Sequence, residues 1–185
     1  MLTVGIDEVG RGCWAGPLVA CAIVLQKPIA GLKDSKKLSA RQREMLAVKI
    51  RDNALAIGFG WVKPEAIDIS GISHAVKSAM QQALEAITID YHEVIIDGNI
   101  NYLSDNKKVR SVIKADDSIP AVSAASIMAK VARDEYMATV AHKQFPAYGF
   151  ERHVGYGTKF HHEMLRLHGV TPLHRKSYKP IQALL

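Results

Sequence analysis

Apolar positions along this chain fall first into short runs and later into helical spacing. Leu2 to Ile6 reads as a short buried strand, and Leu18 to Leu25, apolar throughout, as a second. The Gly-rich connection between them, Gly10 to Gly16, is too short for a crossover helix, so the two strands should pair antiparallel. Ser39 opens a helix: with Gln42 three residues on it makes a capping box, and Leu38 stands where a hydrophobic staple would. Ala54 to Val62 returns as a strand. From Ser73 to Ile87 the residues Val76, Ala79, Met80, Ala83, Leu84 and Ile87 share one helical face. Val94 to Ile96 is a short buried strand that stops at Asp97-Gly98, and Val109 to Ile113 is another. Pro120 suits the start of the next helix, whose small residues Ala124, Ala125, Ser126 and Ala129 allow close packing. Beyond Pro146 the chain is less regular, with one helix over about Lys159 to Leu167. Strands first, then helices and strands in alternation, in a βββαβαβα-like order, predict a mixed sheet with helices on both faces.

A length of 185 residues suits one domain, with about 146–185 expected as a helical and loop segment that completes a substrate groove. No apolar run is long enough to span a bilayer. The N-terminus lacks the basic region and cleavage site of a signal peptide. The two cysteines, Cys13 and Cys21, make neither a zinc spacing nor a disulfide framework. A reducing cytoplasm is therefore the expected setting. The formal net charge of +6 favours polyanionic partners, since each phosphate neutralised releases counterions.

Against that basic background the acids are placed in a pattern. Asp7 and Glu8 close the first strand, Asp97 closes a later one, and Asp116 and Asp117 follow the strand after that. If those strands are neighbours, their ends gather four carboxylates where open sheets form crevices. Clustered carboxylates oppose one another's ionisation, and a hard divalent cation such as Mg²⁺ or Mn²⁺ offsets that cost. Two such ions ~3.5–4 Å apart can activate water and stabilise a leaving oxygen in phosphodiester hydrolysis. A single Asp in a turn needs no such explanation; adjacent acids directly before Val9-Gly10-Arg11-Gly12 are required by no turn type.

These residues resemble the type 2 ribonuclease H family. Gly5-Ile6-Asp7-Glu8-Val9-Gly10-Arg11-Gly12 is similar to its opening signature and Asp34-Ser35-Lys36-Lys37-Leu38 to its next motif. Ile96-Asp97-Gly98 resembles the third, and Lys114-Ala115-Asp116 with Ser123 to Asp134 the fourth. Tyr148-Gly149-Phe150, Gly155-Tyr156-Gly157-Thr158 and His174 to Tyr178 resemble its C-terminal part. The motifs keep family order from residue 3 to about 180. The Gly-Arg-Gly form resembles ribonuclease HII rather than HIII, which carries an extra N-terminal domain for which there is no room before Thr3. The resemblance implies an α/β, RNase H-like fold: a mixed central sheet flanked by helices, with a small helical C-terminal segment. It implies that Asp7, Glu8, Asp97 and Asp116 hold two Mg²⁺ or Mn²⁺ ions, Asp116 rather than Asp117 standing in the Lys-x-Asp position. Gly10, Arg11 and Gly12 would present backbone groups to a ribose 2′-hydroxyl and nearby phosphate, the contact that distinguishes RNA from DNA. Tyr156 would pack on the sugar at the RNA–DNA junction, and Lys36 and Ser123 would meet phosphate. The implied activity is hydrolysis of RNA in RNA–DNA hybrids and cutting 5′ of ribonucleotides embedded in duplex DNA, leaving 5′-phosphate and 3′-OH, as in ribonucleotide excision repair and DNA replication. Cys13-Trp14 departs from the family, which more often has Pro or small residues after Gly12.

Other readings compete. A non-catalytic RNA–DNA hybrid-binding module would use the basic surface and the Gly10–Gly12 loop alone, but carboxylates beside phosphates weaken binding unless metals are present. A resolvase or integrase of the same fold would not need a ribose-reading loop. His153, His161, His162, His168 and His174 lack zinc-ligand spacing. Gly10, Gly12 and Gly16 echo a dinucleotide loop, yet a strand follows where that loop requires a helix. The chain is expected to act as a monomer. A sliding clamp is a further candidate partner through Gln182-Ala183-Leu184-Leu185, which lacks the aromatics of a docking peptide.

Overall fold

The apolar runs fold as five strands in a computed structural model that describes residues 1–185: β1 (Thr3–Val9), β2 (Leu18–Leu25), β3 (Ala54–Val62), β4 (Glu93–Asp97) and β5 (Val109–Val112). They form one sheet in the order β3-β2-β1-β4-β5. The β1–β2 and β2–β3 pairs are antiparallel, and the β1–β4 and β4–β5 pairs are parallel. The expected mixed sheet is therefore present, with its antiparallel part first in the chain. Helix α1 (Ala40–Asn53) intervenes between β2 and β3, so three strands do not run consecutively as a βββ opening would have them.

The helices that follow are α2 (Pro64–Ser70), α3 (Ile72–Glu85), α4 (Ala115–Ser118) and α5 (Pro120–Tyr136). The C-terminal part holds α6 (His142–Gln144), α7 (Phe150–His153), α8 (Lys159–His168) and α9 (Lys179–Gln182). Helix α2 is absent from the sequence expectation; its seven residues are too few to show a period, although Pro64 at its first turn and Gly71 at its end are ordinary stop and start residues. The capping box at Ser39 is formed in both directions. The staple is not: four residues into α1 stands Arg43, whose Nη1 donates to Leu38 O at 2.6 Å and to Ser35 O at 3.1 Å. Leu38 is buried against Leu46, Ala124 and their neighbours instead.

Alternation along β1 divides the molecule into layers. Val4 and Ile6 face the larger core, with α3 residues Val76, Ala79, Met80 and Ala83. The opposite face of the sheet packs on α1 and α5, where Cys21, Ile23, Leu46, Ile50, Ile127 and Met128 are buried together. Gly5 lies on that face directly under the first turn of α5, so close that a β-carbon would collide with the backbone of Ala121 and Val122. The missing side chain lets α5 sit on β1 and carries the chain from Asp116 to Ser126 over the ends of β1 and β4. A third core, with Ala15, Met137, Tyr148, Phe150, Leu165 and Ile181, joins the C-terminal helices to the connection after β1. No helix is long and apolar enough to cross a membrane.

Candidate active site

Asp7 and Glu8 do not end β1; they lie inside it, paired with Cys21 and Ala20 of β2. Successive residues of a strand point to opposite faces, so Asp7 turns toward α5 and Glu8 toward the other side. The parallel register sets Ile6 against Ile96, and the next step along both strands brings Asp7 beside Asp97. Asp116 arrives from α4. Lys114, just before it, adopts a left-handed backbone (φ 58°), a conformation that costs a non-glycine residue ~1 kcal/mol or more. That turn aims the Asp116 N–H at Asp97 Oδ1, 3.3 Å away. The Ser123 hydroxyl then donates to Asp116 O at 2.6 Å and fastens α4 to α5.

The four carboxylates act on one another. Burial raises the Asp7 pKa well above the usual range, Glu8 and Asp97 add to the rise, and Ser126 on α5 opposes it. Burial also raises Glu8; the Arg11 guanidinium, 3.3 Å from Glu8 Oε1, pulls it back, and Asp97 pushes it up. Asp116 is raised to about 6, first by burial and then by Asp97 and Asp34. Asp97 is thus the member that all three others feel. Asp117 lines the same cleft and adds to the rise at Asp116, but its own carboxylate is paired with Lys37, which lowers its pKa. Asp116 is the one whose N–H meets Asp97.

No three His, Cys, Asp or Glu side chains close into a ready coordination sphere. Mg²⁺ keeps several waters and takes one or two protein carboxylates, so an open set of mutually repelling oxygens fits a hydrated hard cation. Beside it lies a cleft of about 560 Å³ lined by Lys36, Asp97, Lys114 and Asp116. Lys36 is exposed there and lowers the Asp116 pKa, as a nearby cation should. Ser123 is not on that surface: it is buried, and its hydroxyl is used by Asp116 O and Ile119 O.

The connection from Gly10 to Pro17 is locked to the chain around Tyr156. Trp14 N and Ala15 N both donate to Gly155 O, at 2.9 and 3.2 Å. The Trp14 ring lies where a side chain at Gly157 would otherwise go. Cys13, the departure noted above, is wholly buried behind this loop. Tyr156 is exposed, with Lys130 Nζ 5.3 Å from its ring centre. Burial and the neighbouring Cys13 push its hydroxyl up to about 12, so it stays protonated and able to donate.

Several residues of this region were given no role of their own by the sequence. Tyr102 holds Arg11 Nη2 at 3.3 Å; Asp34 bears on Asp116; Arg133 and Arg175 are fully buried. Nothing in a linear pattern marks an arginine as buried, and Tyr102 lies 91 residues from its partner. The histidines pack rather than spread: His153 and His161 stack at 4.3 Å, and His161 Nε2 meets His174 Nε2 at 3.0 Å.

The family profile described as Ribonuclease HII matches residues 4–181. The chain is 45% identical over 186 residues to the ribonuclease HII of Marinomonas sp. (strain MWYL1), covering 100% of this chain and 93% of that protein. It is 45% identical over 193 residues to the ribonuclease HII of Shewanella sediminis (strain HAW-EB3), covering 100% and 90%. Among solved structures it resembles the ribonuclease H2 of Pyrococcus horikoshii OT3, with TM-score 0.80, 26% identity and coverage of 100% and 97%. The ribonuclease HII of Archaeoglobus fulgidus, solved in complex with PCNA, gives TM-score 0.80 and 27% identity, with coverage of 97% and 96%.

Proposed function

The chain belongs to the ribonuclease HII family of ribonuclease H enzymes, and from that premise we propose that it hydrolyses the RNA strand of RNA–DNA hybrids and cuts duplex DNA on the 5′ side of embedded ribonucleotides, leaving 5′-phosphate and 3′-OH. The observation that supports this most is the convergence of Asp7, Glu8, Asp97 and Asp116 beside a loop with exposed backbone. These four would hold two Mg²⁺ or Mn²⁺ ions. Such ions, when bound, supply an activated water and offset the charge that develops on the leaving oxygen.

The chain's own residues do the rest. Lys36, at the rim of the cleft, neutralises a phosphate of the scissile strand. Gly10, Arg11 and Gly12 bring backbone groups up to the ribose and its phosphate. Tyr156 packs on the sugar at the junction and donates its hydroxyl to the 2′-OH. Ser123, enclosed as it is, serves by holding the Asp116 turn. Residues 1–185 work as one catalytic domain and one monomer, with about 146–185 closing the groove over the duplex, in the cytoplasm, during replication and ribonucleotide excision. A sliding clamp is proposed as a second partner, by analogy with the PCNA-bound relative. It would dock through Gln182 and Leu185, which stay exposed although Ile181 just before them is buried.

The test is cleavage of a labelled DNA duplex with one ribonucleotide, in Mg²⁺, Mn²⁺ or EDTA, beside an all-DNA duplex. A metal-dependent cut 5′ of the ribonucleotide, with the all-DNA duplex intact, is expected. Cutting of both duplexes, or of neither, overturns the reading.

A further inference from the structure

The peptide that joins Arg11 to Gly12 is held in place by two residues for which the chemistry above has no use. Arg175 is wholly buried, and no carboxylate pairs with it. Its guanidinium is spent on backbone oxygens. Nε and Nη2 donate to Gly16 O at 3.1 and 2.9 Å, and Nη1 donates to Arg11 O at 3.0 Å. Nη1 also donates to the Tyr178 hydroxyl at 3.0 Å, and that hydroxyl donates onward to the same Arg11 O at 2.5 Å. Arg11 O therefore takes two donors, one from the buried Arg175 guanidinium and one from the half-buried Tyr178.

A trans peptide is planar, with C=O and N–H on opposite sides, and the chain has no cis bond. Pinning Arg11 O against Arg175 and Tyr178 obliges the Gly12 N–H to point away from them. Gly12 is exposed, its N–H has no acceptor within the chain, and a side chain there would meet nothing within 4 Å. The result is a free backbone donor, fixed in direction and open to a ligand. Arg133 braces the same loop from α5. It too is fully buried, and it donates to Pro17 O at 2.8 Å, Ala15 O at 3.0 Å and Val154 O at 2.8 Å, the last just before Tyr156. Buried cations without a counter-charge are costly, and apolar residues of similar volume commonly fill such space at lower cost. Carbonyl clamps of this kind have a rationale when the direction of a backbone group matters.

Building on the function proposed above, we infer that Arg175 and Tyr178 are positioning residues for sugar selection: their clamp on Arg11 O sets the Gly12 N–H for a ribose 2′-hydroxyl. Neither touches the substrate. The test measures Kd by fluorescence anisotropy for two labelled duplexes, all-DNA and singly ribo-substituted, with Ca²⁺ replacing the catalytic metal. The proteins are the full chain, Tyr178→Phe and Arg175→Lys. Tyr178→Phe keeps the ring in its core and removes only the hydroxyl; a Lys at 175 cannot reach two carbonyls in one plane. For Tyr178→Phe the preference for the ribo-substituted duplex is expected to fall about five-fold, the worth of one lost hydrogen bond, with all-DNA affinity changed less than two-fold. Arg175→Lys is expected to fall at least as far; if it does not fold, Tyr178→Phe decides. A variant that weakens both duplexes equally, or keeps the full preference, overturns the inference and leaves a purely structural clamp. A full-length chain with no preference at all overturns the sugar-reading function itself, and the inference with it.

Discussion

Acid should loosen this protein through His161 and His174, and the size of the effect can be worked out. Both rings are fully buried, and their bonds leave one set of tautomers. His161 Nδ1–H donates to Tyr156 O, so its Nε2 must accept the Nε2–H of His174, whose Nδ1 accepts from Thr171 N. A proton on either ring sets N–H against N–H. Burial accordingly lowers His161 to about 3 and His174 to about 4 from the ordinary 6.5. The unfolded chain takes up these protons below about pH 6.5 and the folded chain does not, so stability is complete above that pH and is lost as pH falls. From pH 8 to pH 5 each ring should cost about 2 kcal/mol, at ~1.4 kcal/mol per unit below 6.5. Asp116 works the other way. Raised to about 6 in the fold, it takes up a proton before the unfolded chain does and returns about 1.4 kcal/mol over the same range. The clean measurement is a difference: urea unfolding, read by Trp fluorescence at pH 8, 7, 6 and 5, for the parent chain and His174→Gln. A Gln amide can still donate to His161; the acceptor for Thr171 N is lost, but that loss is the same at every pH, so the difference in pH dependence reads the titration of residue 174. The variant should lose about 2 kcal/mol less than the parent between pH 8 and pH 5. Equal losses would refute the assigned tautomers.

Four further outcomes are expected. Asp97→Asn should cut cleavage of the ribo-substituted duplex at least 100-fold, on the order of what metal and charge stabilisation contribute, and carboxyl NMR should find Asp116 titrating below 6, because Asp97 helps to raise it. Mg²⁺ or Mn²⁺ at ~100 times its Kd should add about 2.7 kcal/mol to stability, visible as a Tm rise of roughly 5–10 °C in a chain of this size, and no rise would count against a preformed site. Gly157→Ala drives a methyl into the Trp14 ring; overpacking of this kind costs about 1–3 kcal/mol and should weaken selection for ribonucleotides more than it weakens binding to all-DNA duplex. Tyr156→Ala should lower that same preference about ten-fold, as the loss of packing on the sugar and of one hydrogen bond, measured as Kd for singly ribo-substituted against all-DNA duplex.

Apolar runs at strand length revealed the sheet, because a strand buried on both faces writes its burial into consecutive residues. The acids at β1 and β4 could be read for the same reason: a carboxylate in or after such a run stands out. Between Asp116 and Asp117 the alternation was silent; the Lys-x-Asp position favoured Asp116, and the left-handed turn at Lys114 directs the Asp116 N–H to Asp97. Helix α2 was too short to carry a period. Tyr102 went unmarked, and Arg133 and Arg175 were legible only as motif members, for another reason. What makes them matter is a set of backbone oxygens and side chains that lie far away in sequence, and composition assigns a lone Arg to solvent. Ser123 was legible as a motif member but not as an enclosed one, since its carbonyl partners appear only when α4 folds back on α5.

Helix α5 rests on Gly5 at its first turn, faces Asp7 with Ser126, and reaches the Gly10–Pro17 connection with Arg133. Seven residues of helix, about 10 Å, separate the residue that serves the carboxylates from the one that braces the loop. The helix is thus a single axle with two wheels. Any change that tilts it, such as a side chain at position 5, turns both at once, so a substitution along α5 that shifts the loop shifts the carboxylates with it. Arg175 and Tyr178 hang from a different part of the chain and touch no carboxylate. Their only link to the carboxylates runs through Arg11, whose backbone they hold and whose side chain pairs with Glu8, so a change at that C-terminal corner reaches the acids through one residue rather than through a whole helix.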